Sequence, residues 1–224
     1  MANPPQTVVV EKKRGMGCCG CGCLILFILA ILFVVLIGGM GYVGYSKING
    51  FTTTHPLELK TFDGGDDLYR NATQKLTDFD QAVQHHQPTT LHLNADEINT
   101  MIARDPDFKN NNIHLFVTLN GSEAELKVSA PLDGLNLSVF KGRYLSGTIT
   151  SGIDFDPQNK TLNLLLKNCQ IGNQSAPKEY LSLIQSEIDP AFNQMLLKDP
   201  IAQNVLDQAK TIEIKDSELV IKTE

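Results

Sequence analysis

Tryptophan is absent from the 224 residues, aromatic residues make up only 7%, and no internal repeat or low-complexity tract is present. With 42% hydrophobic residues, the chain is nevertheless neither disordered nor collagen-like. Cysteine is nearly confined to one place: four of the five lie between positions 18 and 23, and Cys169 stands alone after them. No intrachain disulfide can therefore brace the region after the cluster. A formal net charge of −6 excludes the basic surface that nucleic-acid binding requires. Catalytic signatures are also missing. There is no G-x-S-x-G, no H-E-x-x-H and no phosphate-cradling G-x-x-x-x-G-K-[ST]. No cofactor is expected.

Charge, too, is missing from one long stretch. Residues 15–46 contain no Asp, Glu, Lys, Arg or His, and Leu24–Ile37 is Leu, Ile, Phe and Val interrupted only by Ala30. Entry of that stretch into lipid is worth roughly 4–8 kcal/mol. With the uncharged residues beyond it, the segment reaches the ~20 residues that a bilayer span needs, and Tyr42 and Tyr45 fall where interfacial aromatics belong. Lys12, Lys13 and Arg14 precede the span, and Lys47 is the only basic residue close behind it. The positive-inside rule then leaves the N-terminus in the cytoplasm. The expected organisation is a cytoplasmic tail over 1–15, a Cys-rich stretch and single-pass anchor over 16–46, a tether over 47–66 and an extracytoplasmic domain over 67–224. The expected location is the cell membrane. A cleaved signal peptide is the rival reading, although no A-x-A site is visible.

Cys18, Cys19, Cys21 and Cys23 crowd the start of this span. Three readings stay open: lipidation beside the basic triplet, two thiolates of a metal site that lacks its other ligands, and small apolar residues at a membrane boundary.

The exported region holds 24 of the 25 acidic residues. Its first part contains Pro56, Gly64 and Gly65 without sustained periodicity, as a tether would. Leu68, Ala72, Leu76, Phe79 and Val83 predict a helix from Asp66 or Asp67 to about His85. Thr89–Leu93 reads as extended, and Asn94 with Glu97 as a capping box opening a helix that stops by Asp105-Pro106. Alternation over 113–119 and 124–130 about Asn120-Gly121 predicts a hairpin. A second strand pair is expected over 143–155 and 161–170, where Gly142, Gly147 and Gly152 permit bends or bulges. Residues 132–141 are an edge-strand candidate. Tyr180, Leu181, Ile184 and Ile188 mark a helix that Asp189-Pro190 ends or kinks. Another short helix spans 200–209, and TIEIKDSELVIK closes as two strands about KDSE. The fold class expected is α+β, a curved antiparallel sheet with packed helices.

The strings LHLNADEINTMIA, GRYLSGTITSGIDF, LNLLLKNCQIGNQSAP with KEYLSLI, and IEIKDSELVIK together resemble bacterial single-pass proteins of the YpmS-like type, over about residues 68–222. The resemblance implies an extracytoplasmic, non-enzymatic domain with an apolar groove, and carries no catalytic residues. The cysteine cluster is not part of it. Plant late-embryogenesis-abundant-like membrane proteins also place cysteines before one span, but the helical patterns here do not suit their all-β domain.

Residues able to carry chemistry remain few. His55, His85, His86, His92 and His114 are the histidines, with His92 and His114 on the polar face of strands. Cys169 has no base that the sequence places beside it. Asp96, Glu97 and Asp105 offer carboxylates, two of them explained by capping and a helix stop. Five N-x-[ST] sequons, at Asn71, Asn120, Asn136, Asn159 and Asn173, are glycosylation acceptors in a eukaryotic host. The function expected is a membrane-anchored binding module for a lipid or acyl chain. The alternatives are an envelope scaffold or adaptor for a protein partner, and, third, an exported hydrolase.

Overall fold

The computed structural model describes residues 52–60, 62, 64–133, 140–172, 174–198 and 200–224. The expected anchor over 16–46 lies outside them. Among the described residues no helix is long and apolar enough to cross a membrane. Helix α1 (Gly65–Gln84) follows the expected spacing: Ala72, Leu76, Phe79 and Val83 are buried, and Asp66 and Asp67 occupy the positive end of the helix dipole. Strand β1 (Thr90–Asn94) runs into helix α2 (Ala95–Arg104) through the expected capping box. The Glu97 N–H donates to Asn94 Oδ1 at 2.9 Å, and the Asn94 N–H donates to Glu97 Oε2 at 3.0 Å. Lys75 of α1 reaches the other Glu97 oxygen at 2.6 Å and so compensates a carboxylate whose side chain is only 5% exposed. Asp105 ends α2 as expected, but Pro106 also opens a short helix, α3 (Pro106–Asn110). Proline at a first helical position gives up no hydrogen bond.

Five strands form one antiparallel sheet in sequence order: β2 (His114–Asn120), β3 (Glu123–Pro131), β4 (Tyr144–Asp156), β5 (Thr161–Ile171) and β6 (Gln174–Ser175). The first hairpin turns one residue later than the sequence suggests. Its loop is Gly121 and Ser122, and Asn120 is the last paired residue, facing Glu123. Gly121 takes φ of +60° at the first central position, where a type II′ turn needs glycine. Moving a two-residue loop by one position shifts register by two. Every side chain keeps its face, so alternation cannot distinguish the two registers. In the second pair Thr150 faces Asn168 and Ser151 faces Leu166, leaving Lys167 as the extra residue of a bulge. Most of the edge-strand candidate over 132–141 lies outside the described residues.

Helix α4 (Lys178–Leu196), helix α5 (Pro200–Gln208), strand β7 (Ala209–Lys215) and strand β8 (Glu218–Thr223) complete the chain. Of the two readings of Asp189-Pro190, an end or a kink, the end is corrected: α4 continues through Pro190. Its side chains are pinned to β5 on both sides of the proline, and that tertiary contact outweighs one lost helical bond. The single curved sheet is likewise corrected to two. β1 and β7 flank β8 in a separate antiparallel sheet of order β1-β8-β7, pairing the start of the domain with its end. Alternation records which face a residue takes but not which strand lies beside it.

β7 packs against β4, and the two hairpin tips are tied directly. The Gly121 N–H donates to Ser217 Oγ at 3.0 Å, and the Ser217 N–H donates to the Gly121 carbonyl at 3.1 Å. Ile153, Leu162, Leu196, Leu206 and Ile212 meet Leu219 and Ile221 around a residual gap of only about 10 Å³. The apolar faces are spent on the core.

An asparagine closes β2, and another closes the end of β5 that β6 leaves unpaired. Asn99 of α2 donates from Nδ2 to the Val117 carbonyl at 2.7 Å and accepts from the Val117 N–H at 2.8 Å, on β2. Asn193 of α4 repeats this on β5: it donates to the Leu162 carbonyl at 2.9 Å and accepts from the Leu162 N–H at 2.8 Å. A side-chain amide has the donor and acceptor of a peptide unit, so each mimics one residue of a neighbouring strand and blunts an edge open to unwanted pairing.

Candidate functional site

The segment leading into the domain does not stand clear of it. Thr53 forms an antiparallel bridge with Tyr144, its N–H donating to the Tyr144 carbonyl at 2.9 Å and its carbonyl accepting from the Tyr144 N–H at 2.8 Å. Arg143 next to it donates from Nε to Thr52 Oγ1, and Thr52 is buried. Further along, the Leu57 N–H donates to Ser129 Oγ at 3.0 Å. Ser129 and Ser146 are register partners on β3 and β4, with hydroxyls 3.4 Å apart, and the Thr53 hydroxyl lies 3.4 Å from that of Ser146. Both serines lie on the sheet face that carries Lys127 and Thr148, yet both are buried, because residues 52–57 cover them.

Between this strap and the sheet lies a cleft of about 500 Å³. Residues 52–57 form one wall, Ser146, Gly147 and Thr148 of β4 form the floor, and Arg143, Gln170 and Gly172 border it. Gly147 has no room for a side chain, since a Cβ there would lie 2.7 Å from the Gln170 carbonyl oxygen. The Gly172 N–H donates to the Ser146 carbonyl at 2.6 Å, which carries the chain past the end of the floor. The described lining includes one guanidinium, Arg143, and one imidazole, His55, and no carboxylate among the described residues. Residues 47–224 hold 24 of the chain's 25 acids, so a pocket lined by no described carboxylate is locally distinct. Thr54 and Thr148 add hydroxyls that no other described residue engages. Chemically, the cleft offers N–H and O–H donors and positive charge.

The residues singled out from sequence do not converge on it, apart from His55. Cys18, Cys19, Cys21, Cys23, Asn136 and Asn173 lie outside the described residues. Asn71 is exposed on α1, Asn120 at the end of β2, and Asn159 in the β4–β5 turn, where its Nδ2 donates to Asp156 at 2.7 Å. Together with the Asn159 and Gln158 N–H groups, that contact holds the Asp156 carboxyl below its ordinary range, with the Asn159 backbone bond the largest cause. His92 pairs with Glu218 at 3.0 Å on the surface. His85, His86 and His114 are exposed, and no group of three metal-ligating side chains forms among the described residues. Cys169 is buried on β5, where desolvation pushes its thiol up to about 11. Asp105 accepts from the Phe108 N–H at 3.3 Å.

Sequence reasoning missed Arg143, Thr52, Ser129, Ser146 and Thr148. One signal was present. Three small hydroxyl residues occupy outward strand positions where long charged side chains are the usual choice, which marks a face that something covers.

The fold defines the domain as α+β with two antiparallel sheets. No family model matches the chain, and no curated protein or solved structure matches it.

Proposed function

We propose that the chain is a single-pass, membrane-anchored, extracytoplasmic binding module, with residues 16–46 as the anchor and the strap–sheet cleft as its binding site. One observation carries this reading: the wall of the cleft is the segment that leads out of the anchor, bridged to the sheet through Thr53 and Tyr144. Binding at the cleft and attachment to the membrane are thereby joined in six consecutive residues. The uncharged run over 15–46 and the basic triplet before it support the anchor and its direction. The YpmS-like resemblance belongs to the same reading.

A surface-bound occupant is favoured over an acyl chain within the core, since the gap that Leu162, Leu196, Leu206, Leu219 and Ile221 line is about 10 Å³ and a lipid tail needs hundreds. The adaptor reading draws on Leu57, which is 40% exposed on the strap beside the cleft, and predicts that crosslinking of the intact chain captures a neighbouring envelope protein.

The direct test is fractionation of cells expressing the full chain with a C-terminal epitope. An anchored chain stays in the membrane pellet through carbonate extraction, and protease added outside the cells removes the epitope. A carbonate-soluble chain, or an epitope protected in intact cells, overturns the reading.

A further inference from the structure

Resting on that reading, we propose that the strap–sheet cleft binds the anionic phosphate headgroup of a lipid in the membrane that anchors the chain.

Two independent observations lead there. The first is charge. The cleft is lined by Arg143, His55 and the hydroxyls of Thr54 and Thr148, with no carboxylate among the described residues, in a region that carries 24 acidic residues. A phosphate needs donors and a cation and is repelled by acids, and guanidinium meets its oxygens in a two-pronged geometry. The Arg143 Nε donates to Thr52 Oγ1 and Nη2 donates to the Thr52 carbonyl at 3.4 Å, which fixes the side chain and leaves Nη1 and the second Nη2 hydrogen for a ligand. The floor side chains Ser146 and Thr148 are short, so the sheet backbone is approachable.

The second observation is reach. The uncharged segment ends at residue 46 and the cleft wall begins at Thr52. Six residues, even fully extended, span about 20 Å. An anchored chain therefore holds its cleft within about 20 Å of the membrane surface, where lipid phosphates are the most abundant anions. A strongly acidic domain is repelled by an anionic leaflet within a Debye length of about 8 Å. The cleft, whose described lining carries no carboxylate, is where it tolerates close approach.

The test uses the full chain in nanodiscs of phosphatidylcholine alone and of phosphatidylcholine doped with phosphatidylglycerol, with hydrogen exchange read on peptides covering 52–57 and 143–148. Anionic discs are expected to slow exchange in both peptides by about tenfold, the equivalent of one charge-assisted hydrogen bond. Arg143→Gln abolishes the slowing. Because that change also frees Thr52, Thr148→Glu serves as a second variant. It leaves the Arg143–Thr52 contact intact, places a carboxylate on the floor, and should abolish the effect equally. Soluble glycerol 3-phosphate added to phosphatidylcholine discs separates the sources. Slowing by the soluble ester without slowing in anionic discs overturns the membrane source. Incorporation into discs with no slowing in anionic discs and none from the soluble ester overturns this proposal alone. A chain that fails to enter discs overturns it together with the anchor reading.

Discussion

Asn99 and Val117 are joined as though they belonged to adjacent strands: the buried Asn99 amide accepts from the Val117 N–H at 2.8 Å and donates to its carbonyl at 2.7 Å. A helix side chain thus completes the hydrogen bonding of β2. It also fixes how far along the sheet α2 can sit, and α2 in turn carries the capping box that receives β1.

Replacement of Asn99 by Leu should therefore strand two buried backbone groups of Val117 and cost about 2–4 kcal/mol. Asn193→Leu should cost somewhat less, because Asn193 is only half-buried. The two contacts lie three strand spacings apart, about 14 Å, so the double variant should show the sum of the single losses to within about 0.5 kcal/mol. Urea titrations of the four proteins decide this. Coupling well beyond that range would mean that the two edges are not independent.

Glu97 and Lys75 provide a second measurable pair. Lys75→Met leaves a carboxylate with a 5% exposed side chain without its ammonium partner at 2.6 Å, and should cost about 3 kcal/mol. The same change in a Glu97→Gln background should cost far less, since a neutral amide needs no counter-charge. A double-mutant cycle reads the difference directly, and a coupling near zero would assign the stability to the capping box alone.

Gly147 and Gly152, five residues apart on β4, should answer the same substitution differently. Alanine at 147 places its Cβ 2.7 Å from the Gln170 carbonyl oxygen, whereas at 152 the nearest atoms are 3.6 Å away. Gly147→Ala is expected to destabilise by about 1–3 kcal/mol. Gly152→Ala should be close to neutral, and thermal melts of the two variants make the comparison.

Cys169 sets an alkaline limit. Desolvation pushes its thiol up from the ordinary thiol range to about 11. Below pH 9 both folded and unfolded chains keep the proton. Between about pH 9 and 11 the unfolded chain releases it first, so the folded state binds more protons and stability falls as pH rises, by roughly 2–3 kcal/mol across the window. Denaturant midpoints measured from pH 8 to 10.5 should fall less steeply in Cys169→Ala. Peptide-level mass spectrometry should also find Cys169 slow to alkylate in the native protein at pH 8.

Much of the local structure follows from neighbouring residues alone. The spacing of Ala72, Leu76, Phe79 and Val83 makes α1, Asn94 with Glu97 starts α2, and the polar KDSE segment turns β7 into β8, with Asp216 and Ser217 at positive φ. These are legible because the interacting groups lie within a few positions of one another, where periodicity and capping chemistry act directly. Only the tertiary structure decided the rest. The partner of β1 is β8, at the other end of the domain, and the alternating pattern is the same for any partner. The hairpin register shifts by two without moving a side chain to the other face. Pro190 stays inside α4 because β5 holds the helix on both sides of it. The cleft exists because Arg143, Ser129 and Ser146, distant in sequence from Thr52, pull the strap onto the sheet. Short-range chemistry names the elements, but partners, register and clefts depend on contacts that close loops of many tens of residues. No local pattern encodes that closure.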